Sequence, residues 1–82
     1  MFINKAKDGS NNICSQKIAY FRIKIGLSQR MLAEKLQVNG LDVDKNAIQR
    51  IEAGKRFVTD IELLAFSNTF NVSLIELINE DQ

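Results

Sequence analysis

The sequence predicts an all-α fold, a single domain of five short helices. Three observations carry this. Proline is absent and only four glycines fall among the 82 residues, so few positions break a helix. Runs of Val, Thr and aromatic residues that would make strands are missing. Apolar residues instead recur at spacings of three and four behind Ser, Asp and Thr residues suited to cap helices. A chain of 82 residues makes one core, since two would each be too small to bury their share of surface.

Residues 1–12 show no periodicity. They hold Lys5, Lys7 and a turn-prone Asp8-Gly9-Ser10-Asn11-Asn12 run, and they read as a flexible N-terminal arm. The helical domain is expected over residues 13–79, with residues 80–82 frayed. Its first helix starts between Asn12 and Ser15 and runs to Ile25, with Cys14, Ile18, Phe21 and Ile25 on one stripe and Gly26 as the stop. Ser28 caps the second helix, and Leu27 before it is placed to pack on Leu32 as a hydrophobic staple. Met31, Leu32, Ala33 and Leu36 form the inward face of that helix, which ends near Leu36 or Gln37. Residues 38–43 read as a turn around Asn39-Gly40, with Leu41 and Val43 tucked inward.

Asp44 caps a third helix, from about Lys45 to Ala53, with Ile48 and Ile51 inward and Lys45, Asn46, Gln49 and Arg50 outward. Gly54 ends it. Thr59 and Glu62 make a capping box that opens a fourth helix with Leu63, Phe66, Ser67 and Phe70 on one face, ending near Asn71. Ser73 and Glu76 make a second box and open a short fifth helix with Leu74, Leu77 and Ile78. Ile61, Leu64 and Ile75 lie off the main stripe, either as a dimer patch or as the edge of a broader buried face.

Composition removes several functions. His is absent, which rules out Ser-His-Asp and Cys-His catalysis, and no Gly-rich phosphate loop is present. One Cys cannot make a disulfide within the chain, and Cys14 reads as a small core residue. Zinc needs about four tightly spaced ligands, so no metal site is expected, nor any cofactor or catalytic residue. The apolar runs are far short of the roughly 20 residues of a membrane helix. A free Cys without a leader fits the cytoplasm. Nothing after Gln82 would hold a sensor or oligomerisation module, so no small-molecule ligand domain is expected.

The net charge of +1 hides an asymmetry. All eleven Lys and Arg and five of the ten acids lie in the first 56 residues, a net +6, and the other five acids follow Arg56, a net −5. Such a division suits a face built for an anionic partner, and it also suits plain solvated charge.

The second and third helices with the turn between them form a helix-turn-helix unit. In such a unit the second helix lies in the major groove of DNA. Asn46 and Gln49 have the chemistry to pair with adenine, and Lys45 and Arg50 to donate to guanine or to phosphate. A solvated polar face would carry the same residue types.

Residues 18–78 resemble the XRE family, the phage repressor and Cro type of helix-turn-helix protein. The resemblance rests on the Gly-Leu-Ser-Gln-x-x-Leu-Ala run from Gly26 to Ala33 and the Ile-x-x-Ile-Glu-x-Gly-Lys-Arg run from Ile48 to Arg56. It implies a five-helix lambda-repressor-like domain with the reading helix third. By motif match, Gln29 resembles the family's phosphate-contacting Gln. Lys45, Asn46, Gln49 and Arg50 fall on base-reading and backbone positions, and Lys55 and Arg56 on a phosphate-binding loop. Ala33 matches the small residue that lets the second and third helices approach. Arg22 and Glu52 match a partly buried ion pair, a role that takes them away from DNA. The link from Gln37 to Val43 is longer than the family's tight turn and bears on the tilt of the third helix, while Asp42 would repel phosphate unless it faces away.

The expected function is therefore sequence-specific binding of double-stranded DNA by a transcriptional regulator of repressor type, a homodimer on paired half-sites. The alternative is a protein-interaction module, such as an antitoxin or regulatory subunit using the same fold, with the acidic C-terminal third as its surface. RNA binding ranks below both, because exposed stacking aromatics are not expected.

Overall fold

Each helix of this protein is short, so its unpaired terminal N–H and C=O groups are a large share of its backbone. Local side chains take up many of them. A computed structural model describes residues 6–7 and 9–79 and shows α1 (Ser15–Lys24), α2 (Gln29–Val38), α3 (Lys45–Glu52), α4 (Asp60–Phe70) and α5 (Leu74–Ile78). The Ser28 hydroxyl accepts from the Met31 N–H at 3.0 Å, and the Asp44 carboxylate accepts from the Ala47 N–H at 2.8 Å. Thr59 with Glu62 and Ser73 with Glu76 form full capping boxes. For α1, the Asn12 side-chain oxygen accepts the N–H of Cys14, the residue just before the helix.

Four helices end in the same way. After α1, α2, α3 and α4 the chain turns through a left-handed residue, Gly26, Gly40, Gly54 or Asn71. The N–H of that residue bonds back three residues, and the next N–H bonds back five: Gly40 to Gln37 and Leu41 to Leu36, for example, at 3.0 and 2.9 Å. The punctuation expected from the glycines thus has a common hydrogen-bond geometry.

The core is Cys14, Ile18, Leu32, Ala33, Leu36, Val43, Ala47, Ile48, Ile51, Phe66, Phe70 and Leu77. Phe66 and Phe70 stack with centroids 5.9 Å apart, and Phe21 reaches Phe70 from α1 at the same distance. Helices α2 and α3 share the most extensive contact, and α1 covers α3 from another side. Leu41 and Val43 turn inward from the long link, as their alternation predicts, and Leu27 packs on the cluster that holds Leu32.

Four apolar assignments change. Ile25 is 45% exposed, because α1 stops at Lys24 and the chain leaves the helical path before the stripe recurs. Met31 is 46% exposed, lying beside the arc of Leu32, Ala33 and Leu36 and not on it. In α5 only Leu77 is buried; Leu74 and Ile78 stand at its margin.

Residues 9–12 also differ from a free arm. Asn11 and Asn12 bond to the carbonyls that follow and close α3, and Ser10 lies against Gly54. The Lys55 and Arg56 carbonyls need donors once the helix ends, and two adjacent asparagines supply them, while the Ile51 carbonyl also accepts from the Gly54 N–H. The remainder of the expected arm, residues 1–5 and 8, and the expected frayed end at 80–82 lie outside the described residues.

Gly54 makes this close approach possible. Its φ is +75°, and a Cβ there would stand 2.8 Å from Ser10 Cβ. Gly40 has φ of +91° and open space around it. Gly54→Ala should therefore cost roughly 2–4 kcal/mol, the sum of backbone strain and overpacking, against about 1 kcal/mol for Gly40→Ala. Urea unfolding of both variants at matched slope checks the order.

Candidate nucleic-acid interface

The inner side of α3 is closed. Ala47, Ile48 and Ile51 are buried, and at 3.6 residues per turn they leave an outer arc of about 140° that holds Lys45, Asn46, Gln49 and Arg50. All four are exposed, and none makes a side-chain hydrogen bond or ion pair among the described residues. Their donors and acceptors are therefore open to a partner. Ala33 on α2 and Ala47 on α3 are both buried, and these two helices share the most extensive helix–helix contact.

The link before α3 is tied at both ends. The Gln37 amide donates to the Val43 carbonyl at 2.7 Å, and Leu41 N–H returns to Leu36. This bond spans the longer turn and leads into the Asp44 cap. Nothing in the local pattern of the sequence pointed to Gln37, because its partner is a main-chain oxygen whose place depends on the turn. Asp42 is exposed on that turn.

Arg22 and Glu52 form a two-bond pair between α1 and α3, with Nε to Oε2 at 2.7 Å and Nη2 to Oε1 at 3.1 Å. The Arg22 and Glu52 side chains are only 14% and 9% exposed. A third Arg22 N–H donates to the Leu27 carbonyl at 2.8 Å, and Gln29 donates to Glu52 Oε1 at 3.0 Å. The pair thus locks α1, the α1–α2 turn and the end of α3 together. Removing one partner would strand the other at a cost of several kcal/mol. Gln29, matched above to a phosphate contact, already spends one donor on Glu52, which fixes where its amide points.

Lys55 and Arg56 part company. Lys55 is exposed, with a side chain that makes no bond among the described residues. Arg56 is drawn back by Glu62, which takes both terminal nitrogens at 2.9 Å, while Nη1 also reaches the Phe57 carbonyl. The capping box singled out Glu62 as a cap. Its second task needed Arg56 folded back across the link, which spacing alone does not show. The hydrogen bond from Arg56 holds the Glu62 carboxyl below its ordinary range against the opposing effect of burial, and the Thr59 N–H helps. Glu62 in turn raises the Arg56 pKa.

Other chemistry is sparse. Cys14 is buried and its thiol is pushed up to about 11, so little thiolate forms near neutral pH. Among the described residues no cluster of His, Cys, Asp and Glu is fit to hold a metal, and no helix is long and apolar enough to cross a membrane. Ile61, Leu64 and Ile75 are 70%, 52% and 69% exposed, so they do not widen the buried face.

A family model described as helix-turn-helix matches residues 18–77. No curated protein and no solved structure matches the chain.

The Arg56–Glu62 pair also sets a pH response. A carboxyl whose folded pKa is depressed contributes stability above its unfolded value, about 4.3, and loses it as pH falls through the folded value. Stability should therefore drop as pH is lowered from about 5 towards 3. Arg56→Ala should flatten that part of the curve, as read from urea midpoints at successive pH values.

Proposed function

Given that the chain belongs to the XRE-type helix-turn-helix family, a family of DNA-binding regulators, we propose that it is a sequence-specific repressor that reads the major groove of double-stranded DNA through α3. The observation that carries this reading is the outer arc of α3. Four side chains with base-pairing chemistry stand there without partners among the described residues, on a helix whose opposite side is buried. Asn46 and Gln49 read adenine, and Lys45 and Arg50 donate to guanine O6 and N7 or to phosphate. Gln29, aimed by Glu52, and Lys55 hold flanking phosphates. Arg56 belongs with them as a positioning residue, since Glu62 occupies its guanidinium. Such a protein works in the cytoplasm, at the nucleoid.

The exposed Ile61, Leu64 and Ile75 support a homodimer closed through α4 and α5. Two copies would then present their α3 helices to half-sites about one helical turn apart, roughly 34 Å. The same surface supports the second reading, a module that binds another protein.

Selection of the purified chain against random duplex DNA tests both. A paired half-site should emerge, with affinity falling steeply as salt rises. Gln49→Ala and Arg50→Ala should each lose about 1–3 kcal/mol of discrimination at a defined base, while Lys55→Ala should weaken all sites alike. A folded protein that enriches no sequence would sink the repressor reading and favour the protein-binding one. Sedimentation of an Ile61→Asp, Ile75→Asp variant tests the dimer: the parent should be dimeric and the variant monomeric. A parent that stays monomeric even when bound to DNA would remove the homodimer.

A further inference from the structure

The carbonyls of three consecutive residues, Gly54, Lys55 and Arg56, are all taken up by two adjacent asparagines far away in sequence. The Asn11 N–H donates to the Gly54 oxygen at 2.8 Å. The Asn11 side-chain amide donates to the Lys55 oxygen at 2.9 Å. The Asn12 side-chain amide donates to the Arg56 oxygen at 2.9 Å and to the Ile51 oxygen at 3.1 Å. Its own oxygen meanwhile accepts from the Cys14 N–H, so both ends of the Asn12 amide are fixed. A Cβ on Gly54 would stand 2.8 Å from the Ser10 Cβ, so the glycine is what lets the Ser10 side chain lie against the link.

This arrangement has an electrostatic consequence. Carbonyl oxygens carry partial negative charge and repel phosphate. Here three in a row are occupied from the side where residues 11–12 lie, and the Lys55 side chain is exposed without a partner among the described residues. A link of this length with no regular structure would otherwise sample many backbone states, and a phosphate contact from it would have to order it first.

We infer that Asn12, assisted by Asn11, is a positioning residue for DNA binding: it holds the backbone of residues 54–56 so that Lys55 meets a phosphate without prior ordering. The inference rests on the DNA-binding reading above. Neither asparagine touches DNA in it. Their effect passes through the link, and base preference stays with α3.

The test uses the full chain, its selected duplex and the salt dependence of affinity. Each phosphate contact contributes about 0.9 to the slope of log K against log salt. Lys55→Ala should lower that slope by about 0.9, whereas Asn12→Ala should keep the slope and weaken binding about tenfold, a loss that should vanish when Lys55 is already alanine. The ranking of base substitutions within the half-site should stay unchanged. In the free protein, Asn12→Ala should speed amide exchange at Gly54 and Lys55 about tenfold while Leu32 and Ile48 stay protected. Asn11→Ala, which removes one exposed side-chain bond, should move both readouts the same way by less, and it covers the case in which Asn12→Ala does not fold. Unchanged affinity in both asparagine variants, losses that add in the Asn12→Ala, Lys55→Ala double variant, or unchanged exchange at Gly54 and Lys55 would overturn the inference. Failure of the parent protein to bind any duplex would instead overturn the DNA reading on which it stands.

Discussion

An eight-residue helix has almost no stability of its own, and α3 is such a helix. It exists because Ala47, Ile48 and Ile51 are buried against α1 and α2, each fully buried isoleucine contributing roughly 1.5–3 kcal/mol. The same burial decides the outer arc. Once three positions are committed inward, Lys45, Asn46, Gln49 and Arg50 have no inward alternative. The open chemistry of the helix is thus the complement of its packing.

Charge then fixes what apolar contact leaves free to slide or rotate. Arg22 and Glu52 tie the end of α3 to α1 and to the α1–α2 turn, and Gln29 joins the same carboxylate. Arg56 and Glu62 do the equivalent at the start of α4. In both cases the carboxylate has further donors besides the arginine, Gln29 in one and the Thr59 N–H in the other. That matters because a buried ion pair offsets its desolvation only when its remaining lone pairs are also satisfied. The exposed Arg30–Glu34 pair, at 3.5 Å on α2, has no such support and contributes a few tenths of a kcal/mol at most.

The two links around α3 are held by side chains that reach main-chain oxygens. Gln37 holds the entry through Val43, and Asn11 and Asn12 hold the exit. Both links are longer than a tight turn, and both carry residues assigned to the interface or flanking it. A longer link costs conformational entropy to order, and these amides offset part of it in the free protein.

Local chemistry was legible in the sequence. Caps at Ser28, Asp44, Thr59 and Ser73, stops at Gly26 and Gly54 and the turn at Asn39-Gly40 depend on neighbours within five residues, so the five helices and their order followed. The outward residues of α3 followed too, from period alone. What depended on distant partners did not follow. The second task of Glu62 required Arg56 to fold back. Gln37 required the path of the turn, and the exposure of Ile25 and Met31 required knowing where helices end and which arc faces the core. Above all, Asn11 and Asn12 had turn-forming composition and no periodicity, so they resembled a free tail. Only tertiary structure brings the end of α3 beside them, and the carbonyls that follow it turn a polar stretch into a clamp.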